Sequence, residues 1–481
     1  MTDLPRLTRR TPVHRAGIVH LGPGAFFKAF NAGYTDDLLR AQGGDWGIVA
    51  VSLQSDRAAR ELAPQGCAFT SVTLEPDGET PQIVEAISKV MVAREDPRAV
   101  LDVMADPQIK IVSLTITEKG YCHHPATGAL QIDAPDIQAD LANPEHPVTA
   151  LGFIVGALAR RRAAGHSPFT VLSCDNLPDN GATARRVIVD FAKVLDPDLA
   201  NWIDTEGRFP ATMVDRITPA TTPEDITRTA EATGYHDPAC VLHEPFRQWV
   251  IEEDFVDGRP DWDRVGAQFV TSVEAHELMK LRCLNGTHSA LAYLGYLAGH
   301  ETIADTVADP VFARFCKSLW QQEIVPTVPQ PEGEDLARYT ASLFDRYQNP
   351  AIRHRTWQIA MDGSQKLPQR ILGTIADRLA DGQIPKGLCL TVAAWMRYVG
   401  AEDEQGKAID VRDPMADRLK EASNAGDSVE KSVAQLFKIS EIFPAALVVD
   451  QRFADAVTQA YETLQTQGAR AAVAALNHSS G

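Results

Sequence analysis

The pattern of hydrophobic and polar positions in this chain changes once, near residue 270. Before that point, short apolar runs rich in β-branched residues alternate with helical patterns. These runs predict strands at residues 16–22, 47–53, 109–115 and 169–173, with further strands in 209–219 and 241–255. Alternating strands and helices are typical of a parallel sheet that is covered by helices on both faces. The first part of the chain therefore predicts an α/β fold.

After residue 270, apolar residues repeat at spacings of three and four, the period of an amphipathic helix. The predicted helices are 273–298, 310–325, 334–347, 366–382, 386–399, 413–422, 427–440 and 451–475. A chain of 481 residues is long enough for more than one domain. We therefore expect an α/β domain at residues 1–270 and a mostly α-helical domain at residues 271–481.

Glycines lie directly after the first predicted strand, in the turn Gly22-Pro-Gly24-Ala25-Phe26. At the first turn of a βαβ unit, glycines let the backbone approach a pyrophosphate at the start of the next helix. This position predicts a Rossmann-type dinucleotide-binding domain, with Gly22, Gly24, Ala25 and Phe26 at the cofactor. The third glycine of the usual fingerprint is replaced by Phe27.

The second predicted strand is followed by Asp56, where a carboxylate that accepts the ribose hydroxyls of NAD is expected. This predicts NAD as the cofactor. Arg57 lies beside Asp56 and could favour the 2′-phosphate of NADP instead, so that alternative stays open. Thr117 and Lys119 follow a later strand, at the sheet edge where ligands of α/β proteins bind, and we predict that they also contact the cofactor.

Four polar residues share one side of the first helix of the second domain. At about 100° per residue, Glu277, Lys280, Asn285 and His288 fall within an arc of about 140°. A carboxylate, an amine, an amide and an imidazole that project together can form a proton-transfer site. A solvated helix face is the alternative interpretation.

Composition limits the possible partners. The net charge is −18, and a nucleic-acid-binding or anionic-membrane-binding protein would need a basic surface. The sequence has neither an apolar run of 18 residues nor the apolar core of a signal peptide. Its seven cysteines are scattered, without a CxxC pair. We therefore predict a cytoplasmic protein with a small-molecule substrate, no nucleic acid, no membrane and no metal. The adjacent His123 and His124 cannot easily reach one ion.

Several blocks of sequence carry a family resemblance. The set Lys280-x4-Asn285-x2-His288, together with Cys174–Pro178, Val214–Pro219 and His20–Phe27, resembles the polyol-specific long-chain dehydrogenases. The resemblance implies an NAD-dependent oxidoreductase that needs no metal. It also implies that Lys280 is the catalytic acid/base.

The same resemblance implies roles for the other site residues. Asn176 and Asn285 would polarise the reacting oxygen, and His288 and Asp215 would hold substrate hydroxyls. Glu277 would couple to Lys280 as a proton relay.

The C-terminal stretches 349–370 and 394–400 are most similar to the fructuronate reductase branch of this family. That similarity implies interconversion of D-fructuronate and D-mannonate. A carboxylate substrate requires cations, and the candidates are Arg353, Arg355, Lys366, Arg370 and Arg397. Arg353 and Lys366 are our first choices as substrate-binding residues. Mannitol, arabinitol and tagaturonate stay open as alternative substrates. Gln54 stands where members often have an arginine, which leaves the choice between NAD and NADP open.

Overall fold

The structure is a computed structural model, and it describes residues 4–124, 127–426 and 428–479. The chain divides into two compact units, Met1–Glu274 (unit 1) and Ala275–Gly481 (unit 2). The division lies close to the domain boundary that the sequence predicts near residue 270. Within the described ranges, no helix combines the length and the apolar character needed to cross a bilayer.

Unit 1 contains the strands of the described chain. They are β1 (Ala16–Leu21), β2 (Gly47–Ser52), β3 (Phe69–Glu75), β4 (Gly78–Val84), β5 (Ile87–Val92), β6 (Ile111–Leu114), β7 (Thr170–Ser173), β8 (Thr212–Asp215), β9 (Val241–His243), β10 (Gln248–Glu252) and β11 (Gln268–Val270).

The α-helices of unit 1 connect these strands. They are α1 (Ala25–Ala29), α2 (Asn31–Gln42), α3 (Arg57–Leu62), α4 (Pro97–Ala105), α5 (Thr117–Gly120), α6 (Pro135–Ala142), α7 (Ala150–Ala163), α8 (Asn180–Leu195), α9 (Pro197–Glu206) and α10 (Pro223–Thr233); α11 (Glu274–Met279) begins at the last residue of the unit. Short 3₁₀ turns lie at Ala63–Gln65 and Trp262–Val265.

The main sheet is parallel, with strand order β5-β2-β1-β6-β7. The order reverses between β1 and β6, and ligands of such sheets bind in the crevice at the carboxyl ends of these two strands. Successive residues of β1 face opposite sides: Val19 and Leu21 pack into one buried cluster, and Ile18 packs into the other. This confirms the Rossmann-type fold that the sequence predicts.

Two three-stranded sheets complete unit 1, with orders β11-β10-β8 and β4-β3-β9. The single strand or hairpin arm predicted at 241–255 is wrong in detail, because β9 and β10 belong to different sheets. Pro245 lies between them, and proline cannot donate a ladder hydrogen bond. The β3–β4 hairpin and β5 were not predicted, since their apolar alternation is weak.

The regular secondary structure of unit 2, in its described part, consists of helices. Its α-helices are α12 (Thr287–Leu297), α13 (Ile303–Ala308), α14 (Pro310–Ser318), α15 (Leu336–Gln348), α16 (Thr356–Ile359), α17 (Gly363–Leu367), α18 (Gly373–Ala380), α19 (Lys386–Val399), α20 (Ala416–Asn424), α21 (Val429–Phe437), α22 (Ala445–Val448), α23 (Gln451–Gln467) and α24 (Ala469–Ser479). The helix predicted at 451–475 is in fact two helices, which separate at Gly468, where φ is +79°.

Three predicted helices of unit 2 contain π-helical segments, at Lys280–Gly286, Leu319–Ile324 and Pro368–Leu372. A 3₁₀ turn, Val325–Thr327, follows the second of them. π-Helices are rare and occur mostly as short insertions at functional sites. The first of these segments, Lys280–Gly286, contains Lys280 and Asn285, two of the predicted catalytic residues.

Candidate functional site

The turn after β1 requires glycine at its first position. Gly22 has φ of +95°, and a Cβ atom there would lie 2.2 Å from the carbonyl oxygen of Thr115, the residue after β6. The Gly22 amide also donates to the carbonyl of Val51 in β2. Backbone therefore packs directly on backbone at the point where the strand order reverses, and this leaves open space beyond the strand ends.

Phe27 occupies the place of the third fingerprint glycine, and the structure accounts for it. Its ring is fully buried and stacks on the ring of His20, with centroids 3.7 Å apart. His20 lies within hydrogen-bond distance of Ser113 and Thr115 in and after β6, at 2.8 and 2.9 Å. Burial lowers the pKa of His20 to about 3. The neutral ring of His20 in β1 thus packs against Phe27 of helix α1. The usual fingerprint has a glycine at this position, which lets the helix lie close to the strand.

A cavity of about 570 Å³ opens at the carboxyl ends of β1, β2 and β6. Gly22, Gly24, Ala25 and Thr117 line this cavity, as the sequence predicts for cofactor contacts. Three other predicted contacts, all in the described part of the chain, lie outside its lining; they are Phe26, Asp56 and Lys119. Phe26 instead stacks on Phe30.

The charged groups at the cavity differ from those that the sequence predicts. Lys28, Arg57 and Glu61 belong to the lining. Arg57 and Glu61 form an ion pair at 2.7 Å. Lys28 is buried and donates to the carbonyl of Ala239 at 2.6 Å. Burial lowers the pKa of this amine.

Asp56 begins helix α3 and lies 3.5 Å from Arg60, so its carboxylate is engaged at the helix surface. Glu61 lines the cavity and Asp56 does not, so Glu61 is a second candidate carboxylate that sequence reasoning did not single out. Its helical spacing from Arg57 is the only sequence signal that could have indicated it.

The loop after β7 is anchored by Asp175, a second residue that sequence reasoning did not single out. Its buried carboxylate accepts hydrogen bonds from the amides of Ile116 and Thr117 and from the hydroxyl of Tyr121, at 2.8–3.0 Å. Burial is the largest cause of its raised pKa. The carboxylate joins the loop after β7 to the loop after β6 and so fixes the start of the chain segment that carries Asn176.

Asn176 and Asp215, the two residues of unit 1 that are predicted to act at the substrate, lie at the carboxyl ends of strands. Asn176 is exposed in the loop after β7, and Asp215 is a buried residue at the end of β8. The amide of Asn180 bonds to Thr212 at both of its ends and so joins the β7 loop to β8.

In unit 2, the four polar residues that the sequence places on one side of a helix do not lie on one regular helix. Glu277 lies on α11, Lys280 and Asn285 lie in the π-helical segment, and His288 lies on α12. A π-helix bonds residue i to i+5 and not to i+4, so it inserts one residue per turn. The constant rotation of about 100° per residue is therefore wrong across this segment. Glu277, Lys280 and Asn285 are half-buried, and His288 is buried.

The other two π-helical segments contact the first. From Leu319–Ile324, the Trp320 indole donates to the carbonyl of Cys283 at 2.9 Å. From Pro368–Leu372, the carbonyl of Arg370 approaches Gly286 so closely that a Cβ there would lie 3.0 Å away. A residue without a side chain is thus favoured at position 286, because the backbone of Arg370 packs closely against it.

His288 is enclosed by two rings. Tyr347 stacks on it with centroids 4.8 Å apart, and His354 meets it edge-on at 4.7 Å. Burial is the main cause that lowers the pKa of His288 well below its ordinary value, and repulsion from His354, when that ring is protonated, adds to it. His288 is therefore a neutral imidazole near pH 7, suited to exchange hydrogen bonds with hydroxyl groups.

Basic side chains surround this histidine. Arg346, Arg370 and Lys366 each lower the pKa of His288 further. Burial and the neighbouring Arg370 lower the pKa of Lys366 to about 8, and Lys366 donates to the carbonyls of Met361 and Ile359 at 2.5 and 3.3 Å. Arg370 donates to the Ser289 hydroxyl at 3.3 Å. We call Arg346, Lys366 and Arg370 the cationic cluster.

Arg353 does not belong to the cationic cluster, contrary to our first choice from the sequence. Its side chain is 69% exposed and lies 3.3 Å from Glu301. Arg355 is similarly exposed and lies 3.7 Å from the same carboxylate. Sequence reasoning could not separate these arginines from Arg370, because all of them lie in one polar stretch. Of the two first choices, Lys366 lies in the cationic cluster and Arg353 lies outside it, and substrate binding by either residue stays a prediction.

Among the described residues, no group of three or more histidine, cysteine, aspartate or glutamate side chains is arranged to hold a metal ion. His124 is exposed and His123 is half-buried in a bridge with Leu130. All seven cysteines are free thiols. Independence from metal stays a prediction.

A dinucleotide-type cavity in unit 1 and a lysine, an asparagine and a neutral histidine in unit 2 define the class of two-domain dehydrogenases. Residues 16–264 match the mannitol dehydrogenase Rossmann domain, and residues 272–465 match the mannitol dehydrogenase C-terminal domain. The chain belongs to the mannitol dehydrogenase family, and it is an oxidoreductase that acts on CH–OH groups.

Individual relatives cover nearly the whole chain. D-mannonate oxidoreductase of Escherichia coli (strain K12) is 48% identical over 95% of both chains. Mannitol 2-dehydrogenase of Aspergillus terreus is 40% identical over 94% of this chain and 91% of the relative. The structure of Pseudomonas fluorescens mannitol 2-dehydrogenase in a ternary complex with NAD and D-mannitol has a TM-score of 0.84 at 38% identity, covering 99% of this chain and 97% of that one. These similarities confirm the predicted family and fold class.

Proposed function

We propose that this protein is an NAD-dependent reductase that interconverts D-fructuronate and D-mannonate, with Lys280 as the acid/base. The observation that carries the choice of substrate is the cationic cluster beside His288. Arg346, Lys366 and Arg370 are close enough to His288 to lower its pKa, and Arg370 also lowers that of Lys366. Such mutual repulsion is relieved when an anion binds among the cations.

A carboxylate is the anion that best suits these groups. Arginine donates two parallel hydrogen bonds to a carboxylate, and the Lys366 ammonium adds a point charge. A substrate without a carboxylate, such as fructose, would leave the charges of the half-buried Lys366 and Arg370 without an anionic ligand. A site built for a polar group discriminates strongly against an analogue that lacks it. The 48% identical D-mannonate oxidoreductase supports the same choice.

The proton chemistry is assigned to Lys280. When the carbonyl of the substrate is reduced, the Lys280 ammonium donates a proton to the oxygen; in the oxidative direction the neutral amine removes it. Asn285 donates an N–H to the same oxygen and stabilises its negative charge. Glu277 precedes Lys280 by three residues and would return protons to it. These roles, and those of Asn176 at the oxygen and of His288 and Asp215 at the substrate hydroxyls, rest on the family resemblance.

The cavity of unit 1 fits a nicotinamide dinucleotide, which supplies or accepts the hydride when bound. Gly22 makes the tight turn at the strand end, and Gly24, which lines the cavity, has no side chain that would keep a pyrophosphate from the backbone. Glu61 in the lining supports NAD, since a carboxylate repels a 2′-phosphate. The relative whose complex contains NAD also supports it. Arg57 is held by Glu61, which reduces its use as a phosphate ligand.

A substrate comparison with matched variants tests the proposal. Lys366→Met should lower kcat/KM for fructuronate by roughly 10- to 10²-fold, since a charged hydrogen bond is worth about 1.5–3 kcal/mol. Fructose reduction should change much less. Arg353→Ala is the control, because it removes a cation that is exposed and paired. Equal losses on both substrates in Lys366→Met would remove the cationic cluster from the carboxylate site.

Mannitol is the second candidate substrate, supported by the 38% identical relative whose complex contains D-mannitol. The two proposals differ in one measurement. A mannitol dehydrogenase would reduce fructose with a higher kcat/KM than fructuronate, and Lys366→Met would then affect both substrates alike.

A further inference from the structure

The π-helical segment Lys280–Gly286 ends where the α-helix α12 begins, at Thr287. A change from i→i+5 to i→i+4 hydrogen bonding skips one backbone pair, so a carbonyl at the junction lacks its regular amide donor. A buried carbonyl without a donor is costly. The carbonyls at this junction belong to Cys283 and Leu284, both buried residues.

Side chains supply the donors at Cys283. Its carbonyl oxygen accepts a hydrogen bond from the Trp320 indole at 2.9 Å and another, shorter one from the hydroxyl of Thr287. Trp320 is 2% exposed and lies in a different helical segment, Leu319–Ile324. The Trp320 indole therefore donates to this carbonyl from a helical segment other than the one that contains Lys280.

Leu284 is held in a similar way. Its carbonyl accepts from the hydroxyl of Tyr347 at 2.9 Å and from the backbone amide of Thr287. The hydroxyls of Tyr347 and Thr287 lie 2.8 Å apart. Tyr347 is 3% exposed and is the same residue whose ring stacks on His288. One tyrosine thus contacts both the junction and a site histidine.

We propose that Trp320, Tyr347 and Thr287 are positioning residues that hold the catalytic segment in its π-helical form. The inference rests on the proposed function, because it matters only if Lys280 and Asn285 act on the substrate. Loss of the inserted residue would restore the α-helical register and rotate Lys280 by about 100° relative to His288. The acid/base would then point away from the atoms that it serves.

Tyr347→Phe and Thr287→Val each remove one donor with little change in size, and Trp320→Phe removes a donor together with one ring. We expect kcat to fall roughly tenfold or more in each, with KM for the cofactor unchanged, since the cavity of unit 1 is untouched. Amide hydrogen exchange over residues 280–288 should become roughly tenfold faster, the effect of one lost buried hydrogen bond. Thr287→Ser keeps the hydroxyl, so kcat and the amide exchange rate over residues 280–288 should stay at their wild-type values.

Matched controls come from α19. Tyr398 and Trp395 are buried, and within the part of the chain that the structure describes their polar side-chain atoms have no hydrogen-bond partner. Tyr398→Phe and Trp395→Phe should therefore keep wild-type kcat and exchange over 280–288. The proposal is overturned if the three test variants match these controls, or if Thr287→Ser loses as much as Thr287→Val.

The exchange measurement separates this inference from the proposed function. A wild-type protein that reduces neither fructuronate nor fructose would end the proposed function, yet fast exchange in Tyr347→Phe would still support the π-helical restraint. An active wild type with unchanged exchange in all three variants would end the restraint alone.

Discussion

The ring of His354 meets the ring of His288 edge-on, with centroids 4.7 Å apart and planes at 87°. His288 is thus held between His354 and the stacked ring of Tyr347. Burial, followed by the charge of Lys366, lowers the pKa of His354 to about 4. Both imidazoles are therefore neutral near pH 7, and the fixed charge in this part of unit 2 lies on the cationic cluster.

This histidine pair should make unit 2 sensitive to acid. The pKa of His354 is about 4 in the folded protein, below the ordinary value of 6.5. The unfolded chain therefore binds the proton first, and stability is lost as the pH falls from about 6.5 to about 4. Urea unfolding of His354→Gln and wild type should give free energies that diverge by on the order of 3 kcal/mol over this range. Parallel pH curves would contradict the expectation.

Lys280→Ala tests the acid/base assignment. Turnover should fall by roughly 10²- to 10⁴-fold, because that is the usual contribution of general acid–base catalysis. Cofactor affinity, followed by quenching of intrinsic fluorescence, should stay at the wild-type value because the cavity lies in unit 1. Small primary amines should restore part of the rate. Near-normal turnover of Lys280→Ala across the pH range would show that another group moves the proton.

The charge of Lys366 should determine how kcat/KM for fructuronate depends on pH. Its pKa is about 8, so its positive charge is lost as the pH rises through that value. The kcat/KM for fructuronate should fall across this range, since kcat/KM reports on groups of the free enzyme. In Lys366→Arg the charge persists and this step should disappear. The same step in wild type and Lys366→Arg would assign the titration to a different group.

Cofactor choice can be tested at two carboxylates. We expect kcat/KM with NADH to exceed that with NADPH. Glu61→Gln should narrow the difference more than Asp56→Ala, because Glu61 lines the cavity and Asp56 does not. The measurement is kcat/KM with NADH and with NADPH for the wild type, Glu61→Gln and Asp56→Ala. Equal or better use of NADPH by the wild type would reject NAD.

Much of the fold could be predicted because parallel strands buried on both faces form continuous apolar runs. Four of the five strands of the main sheet, β1, β2, β6 and β7, are predicted in this way. The β3–β4 hairpin was missed because β4 is exposed over most of its length, so its residues do not alternate clearly. The two helices on either side of Gly468 were merged because apolar periodicity continues across the break.

The site was harder to predict, for a physical reason. A π-helical segment has no separate sequence signal, so the sequence predicts a regular helix over Lys280–Gly286. Its inserted residue depends on donors from distant parts of the chain, such as Trp320 and Tyr347. Likewise, Lys366 and Arg353 have the same sequence signal, a cation in a polar stretch. Only tertiary packing shows that the first is half-buried and that the second pairs with Glu301 at the surface.

The most direct test of the central claim is a steady-state comparison of the wild-type protein on fructuronate and fructose with NADH, with the product identified by mass and chromatography. Oxidation of NADH should be much more efficient with fructuronate and should yield D-mannonate in equal amount to the NADH consumed. A higher kcat/KM for fructose, or no NADH oxidation with fructuronate, would contradict the proposed function.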